Sequence, residues 1–121
     1  MSEELPLQEV VVGSIDELSD PGCREFSIGD GDWPLRGFVV RQGDEFFAYQ
    51  NLCMHVGHPL NWKPDSFLTR DGSQIICASH GALYDIRSGE CTAGPCPGKF
   101  LRKVEIEISG NEILVRGRPL R

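Results

Sequence analysis

Three features of this 121-residue chain predict an all-β fold. Short runs alternate apolar and polar residues with a period of two, the clearest being residues 103–109 (KVEIEIS). Fourteen Gly and eight Pro break those runs into short segments joined by tight turns. No longer window sustains the 3.6-residue period of an amphipathic helix. Repeats, linkers and low-complexity segments are absent from the sequence, so a single domain of ordinary size is expected.

The elements follow in order. Residues 7–12 (LQEVVV) are β-branched and read as a first strand closed by Gly13. Residues 14–19 (SIDELS) can begin a short turn of helix, which Asp20-Pro21-Gly22 stops. Residues 23–28 (CREFSI) alternate and form a second strand, followed by a turn at Gly29-Asp30-Gly31-Asp32. Residues 35–41 and 45–49 flank Gln42-Gly43-Asp44 as a hairpin. A short strand is expected at 67–69, and 74–78 reads as a strand delivering Cys77. Residues 82–86, the turn Arg87-Ser88-Gly89-Glu90 and Cys91-Thr92 suggest another hairpin. In 103–109 the inward residues are Val104, Ile106 and Ile108. Gly110-Asn111 then turns into the last strand, 112–116 (EILVR).

Composition narrows the function. Hydrophobic content of 40% and charged content of 25% are those of a soluble globular protein. A net charge of −6 argues against nucleic acid or an anionic membrane as partner. Met1-Ser2-Glu3-Glu4-Leu5-Pro6 carries acids where a secretory signal carries bases, and no run of 18 apolar residues follows. A cytoplasmic location is therefore expected, and five Cys in a reducing compartment are ligands or thiols more often than disulfides.

The chemistry lies in Cys53-Met54-His55 and Cys77-Ala78-Ser79-His80, separated by the 21 residues from Val56 to Ile76. Two of the three histidines of the chain fill these motifs. Thiolate combined with imidazole suits zinc or iron–sulfur. Structural zinc favours like ligands from each short loop, C-x(2–4)-C with H-x(3–5)-H. Here each loop supplies one of each kind, which suits a two-iron centre with sulfur on one iron and nitrogen on the other.

The pattern resembles the Rieske [2Fe–2S] family. Cys53-Met54-His55-Val56-Gly57-His58-Pro59-Leu60 is similar to its first cluster loop, and Cys77-Ala78-Ser79-His80-Gly81-Ala82-Leu83-Tyr84-Asp85 to its second. Gly94-Pro95-Cys96-Pro97 stands where the family has a proline-rich third loop. The resemblance implies small antiparallel sheets, with a base at 1–50 and 99–121 and a cluster-binding subdomain at 51–98 inserted in it. It implies that Cys53 and Cys77 hold one iron of a single [2Fe–2S] cluster and His55 and His80 the other. It implies a soluble, monomeric one-electron carrier, not itself a catalyst, working between a flavin reductase and a terminal oxygenase or reductase. Ferredoxin components of ring-hydroxylating oxygenase systems and small subunits of nitrite reductases are of this kind. The rival readings are a zinc-stabilised binding module and an iron or redox sensor.

Departures from the family pattern carry information. High-potential members have a further Cys in each cluster loop, joined as a clamping disulfide; the matching positions here hold His58 and Ser79. Ala82 stands where those members often carry a serine hydroxyl that donates to a sulfide, whereas Tyr84 is kept at a position that can bond a ligand sulfur. A low to middling potential within the Rieske range is expected, because hydrogen bonds to cluster sulfurs raise it. The same resemblance places His58, Pro59 and Leu60 from one loop and Pro95 and Pro97 from another as an apolar, rigid frame around the histidine ligands, suited to transient docking. The remaining candidates have plainer readings. His58 is expected as an exposed loop residue and Cys23 as a small buried hydrophobe. Cys91 and Cys96 are expected as structural thiols, Trp33 and Trp62 as packing residues, and Glu105 and Glu107 as a solvated face.

Overall fold

The computed structural model describes residues 7–29, 34–52, 59–61, 65–78, 81–94 and 98–119. Trp33, His58, Trp62, Pro95, Cys96, Pro97 and most of the 29–32 turn lie outside those residues. Among the described residues nine strands form three three-stranded antiparallel sheets. β1 (Gln8–Ser14), β9 (Glu112–Gly117) and β8 (Glu105–Ser109) form the first, in the order β1-β9-β8. β2 (Gly22–Ile28), β3 (Leu35–Gln42) and β4 (Glu45–Gln50) form the second. β5 (Gln74–Ile76), β6 (Leu83–Asp85) and β7 (Cys91–Ala93) form the third. The all-β expectation holds, and the one helical turn is a 3-10 segment at Ile15–Glu17, with the Ser14 amide donating to Glu17 Oε1 at 2.7 Å.

The β2-β3-β4 sheet is covered on both faces, because in β3 and β4 consecutive apolar residues point to opposite sides. On β3, Phe38 and Val40 point to one core and Val39 to the other. The register carries that division across the sheet: Phe38 faces Tyr49 and Val40 faces Cys23, while Val39 faces Ala48. One core fills the space against β1-β9-β8 and includes Phe26, Ile28, Ile113 and Val115. The other joins Phe38, Val40 and Tyr49 to Leu60, Phe67, Ile75, Cys77, Tyr84 and Leu101. The Phe38 and Phe67 rings stack at 4.1 Å between centroids, and Phe38 meets Tyr49 at 6.0 Å.

Three expectations are corrected. Residues 67–69 make a single bridge, Leu68 to Ile75, flanked by backbone bonds from Ile76 N to Phe67 O at 2.9 Å and from Thr69 N to Gln74 O at 2.8 Å, too short a pairing to form a strand. The run 103–109 is divided: the Val104 amide bonds Ala48 O at 2.9 Å along the β4 edge, and β8 begins only at Glu105. Ile108, expected to face inward, is 40% exposed, because it lies at the β8 end beside the hairpin turn to β9, beyond the cover of the middle sheet. Val104 is buried and Ile106 half-buried as expected.

Tyr49 joins the middle sheet to the third. Its hydroxyl donates to Ile86 O at 2.5 Å, and the ring is 1% exposed. Tyr49→Phe leaves that buried carbonyl without its donor, an expected loss of about 1–2 kcal/mol readable as a lower thermal midpoint. Burial, assisted by the Asp85 carboxylate, raises the hydroxyl from an ordinary 10 to about 12. A group raised in the fold contributes its full stability below pH 10 and loses it as pH rises toward 12. The gap between wild type and Tyr49→Phe should therefore narrow across that window in thermal melts.

Candidate metal centre

Cys77 is the one of the four expected ligands that falls within the described residues; Cys53, His55 and His80 lie outside them. β5 ends at Ile76, one residue before Cys77, so the strand delivers the thiol to the start of a turn. The turn is closed by two backbone bonds, Cys77 N to Ala82 O at 2.9 Å and Gly81 N to Cys77 O at 2.8 Å. Gly81 has φ +70°, and a Cβ there would meet nothing within 4 Å. It is the dihedral that calls for glycine at this position, since space alone would admit a side chain. Cys77 is fully buried, backed by the Phe38–Phe67–Ile75 side of the core.

The segment carrying Cys53 and His55 is tied to this turn from its far end. The Ala78 amide donates to Leu60 O at 2.7 Å. The Leu60 amide in turn donates to Asn51 Oδ1 at 2.8 Å, and Asn51 Nδ2 donates to Asn61 Oδ1 at 2.9 Å. Asn51 is 6% exposed, a buried polar side chain that bridges residues on either side of the Cys53-Met54-His55 motif. Sequence reasoning passed over it; the available signal was an amide at the mouth of a loop, where Asn side chains commonly bond nearby backbone. Gly94 (φ +96°) packs closely on Ala82, since a Cβ there would lie 2.8 Å from Ala82 Cα.

Other expected residues divide cleanly. Leu60, expected on an exposed apolar frame, is fully buried in the core, because its backbone amide and carbonyl are both engaged and turn the side chain inward. Pro59 is exposed. Ala82 and Tyr84 are fully buried at the turn and on β6. Cys91 is buried, with Sγ donating to Ala93 O at 3.3 Å. Cys23 is half-buried; burial pushes its thiol up to about 11, with Asp65 adding to the rise and a Phe67 backbone bond opposing it. Glu105 and Glu107 are exposed and pair with Arg116, which also meets Glu9. The described residues hold no group of three His, Cys, Asp or Glu arranged for a metal. No helix among them is long and apolar enough to cross a membrane.

These features fit a two-iron, two-sulfide centre. One thiol sits in a dry, backbone-fixed turn, and that turn is bonded to the end of a second segment bearing a Cys and a His. Two thiolates and two imidazoles are the donor set of the Rieske cluster.

Comparison with known proteins agrees. The sequence profile of the Rieske [2Fe-2S] domain matches residues 8–112. The cytochrome b6-f complex iron-sulfur subunit of Chlorobaculum thiosulfatiphilum is 28% identical over 109 residues, 90% of this chain and 54% of its own length. Ferredoxin CarAc of Metapseudomonas resinovorans is 33% identical over 79 residues, 65% of this chain and 68% of its own. The chain thus spans about half the length of the first of these relatives and about two thirds of the second. Among solved structures, the ferredoxin of carbazole 1,9a-dioxygenase from Nocardioides aromaticivorans IC177 superimposes with a TM-score of 0.69 at 31% identity, covering 89% of this chain and 96% of that one. With the profile covering residues 8–112, most of its length, this chain belongs to the Rieske [2Fe-2S] domain family.

Proposed function

We propose that the protein is a one-electron carrier, with Cys53 and Cys77 holding one iron of a single [2Fe–2S] cluster and His55 and His80 the other. The observation that carries this reading is the bond from Ala78, beside Cys77, to Leu60, just beyond the Cys53/His55 segment. When bound, the cluster accepts and returns one electron, at a potential raised by its two neutral imidazole ligands. The chain's own residues bind it and keep water from one side: Cys77 as a thiolate in the core, with Phe67, Ile75 and Tyr84 closing the space behind.

The division into a base at 1–50 and 99–121 and a cluster-binding part at 51–98 belongs to the same reading. The third sheet, β5-β6-β7, falls wholly within 51–98, and the other two sheets fall wholly outside it. His58 and Ser79 in place of the clamping cysteines favour the ferredoxin branch, as does the likeness to the carbazole dioxygenase ferredoxin. On this reading the protein is monomeric and cytoplasmic. It receives electrons from a flavin reductase and passes them to a terminal oxygenase or reductase.

Docking follows from charge and shape. Electron-transfer encounters use small interfaces, and a chain of net charge −6 draws a basic partner surface. Reduction by the reductase should slow several-fold as ionic strength rises from ~0.01 to ~0.2 M, where screening becomes effective. Pro59→Asp, at an exposed position, should slow transfer in stopped-flow while leaving the visible spectrum unchanged. Wild-type rates in that variant place the docking face elsewhere. Leu60→Asp cannot serve this test, because it puts a charge into the core.

A further inference from the structure

The geometry points to Asn51 as a positioning residue that sets the two cluster-bearing segments against each other, a task that a disulfide performs in relatives with a further Cys in each loop. The inference rests on the ligand assignment above. Asn51 is fixed to the middle sheet by its own backbone, whose amide donates to Arg36 O at 2.9 Å on β3. From that anchor its side chain reaches past the Cys53/His55 segment: Oδ1 accepts from the Leu60 amide at 2.8 Å and Nδ2 donates to Asn61 Oδ1 at 2.9 Å. Leu60 O then accepts from Ala78 N at 2.7 Å, and Ala78 adjoins Cys77. One amide side chain therefore connects the sheet, the end of the first segment and the second segment in an unbroken series of hydrogen bonds.

Burial gives that series its weight. Asn51 is 6% exposed and Leu60 fully buried, so water cannot replace a lost partner. The Leu60 amide and carbonyl are both committed, one to each segment, so movement of Leu60 is passed to Ala78. His58 and Ser79 cannot form the covalent clamp, which leaves non-covalent bonds to hold the separation. An amide at position 51 is suited to this because it accepts on one atom and donates on the other.

The test compares holoproteins under an iron chelator, with loss of visible absorbance as the readout. Asn51→Leu keeps the branched shape and removes both bonds; it should bleach about tenfold faster than wild type, as expected for a buried amide left unpaired. Val39→Ala, in the other core, is the control for a general loss of stability, with rates read equally far below each thermal midpoint. Hydrogen exchange should show lost protection at the Leu60 and Ala78 amides in Asn51→Leu and not in Val39→Ala. If Asn51→Leu does not accumulate folded, Asn51→Ser, too short to reach both partners, takes its place. Bleaching no faster than in Val39→Ala, or unchanged protection of the Leu60 and Ala78 amides in Asn51→Leu, overturns the inference. Wild-type protein without iron would instead overturn the ligand assignment on which it rests.

Discussion

Cys77→Ala is expected to give a colourless, folded protein, where wild type should be red-brown and hold about two irons and two acid-labile sulfides per chain. The loss should be complete rather than graded, because a thiolate ligand at a fixed position has no neighbour to take over. Cys77 is fully buried in a turn closed by its own amide and carbonyl, which fixes where its thiol sits. Cys53→Ala, His55→Ala and His80→Ala should behave alike, each removing one donor of a four-donor set. Cys23→Ser and Cys91→Ser are the controls. Burial pushes the Cys23 thiol up to about 11, away from the thiolate form. Cys91 Sγ is bonded to Ala93 O, a bond that a serine hydroxyl can also make. Both controls should keep their colour and the EPR signal that appears on reduction. Iron retained in Cys77→Ala, or stoichiometric zinc and no iron in wild type, sinks the assignment and leaves the zinc-stabilised module in its place.

The sequence was legible where a local rule decides the outcome. β-branched runs, alternation and turn residues together placed β1, β2, β3, β4 and β9 within a residue or two. The C-x-H and C-x-x-H spacing identified the family without any fold, since donor type and spacing are properties of the chain alone. It failed where position in space decides. Leu60 read as an exposed apolar residue because the family resemblance set it in the frame around the histidine ligands, yet its backbone amide and carbonyl are both bonded and its side chain lies in the core. Ile108 read as buried from its alternation, but nothing covers the end of β8. Asn51 was invisible because its partners, Leu60 and Asn61, are adjacent to it only once the chain has turned back.

Phe38→Ala is expected to cost about 3–5 kcal/mol, a large share of the stability of a domain this size. The ring is fully buried, stacks on Phe67 at 4.1 Å and touches Tyr49, so its removal opens a cavity that two aromatic neighbours cannot collapse to fill. Val39→Ala, the next residue on β3, removes only two methyl groups from the opposite core, about 2 kcal/mol. The difference in kind should exceed the difference in size. Phe67 O accepts from Ile76 N at 2.9 Å, one residue before Cys77, so the cavity left by Phe38 lies behind the strand that delivers the thiol. The Val39 cavity instead faces Phe26, Ile113 and Val115, on the side without the cysteine. Both variants should therefore melt early, with Phe38→Ala lower by roughly 5–15 °C. Only Phe38→Ala should lose its visible absorbance at temperatures where circular dichroism still reports folded sheets. Loss of colour in step with melting in both variants would mean that the two cores act as one and that the cluster-binding part draws no separate support from Phe38.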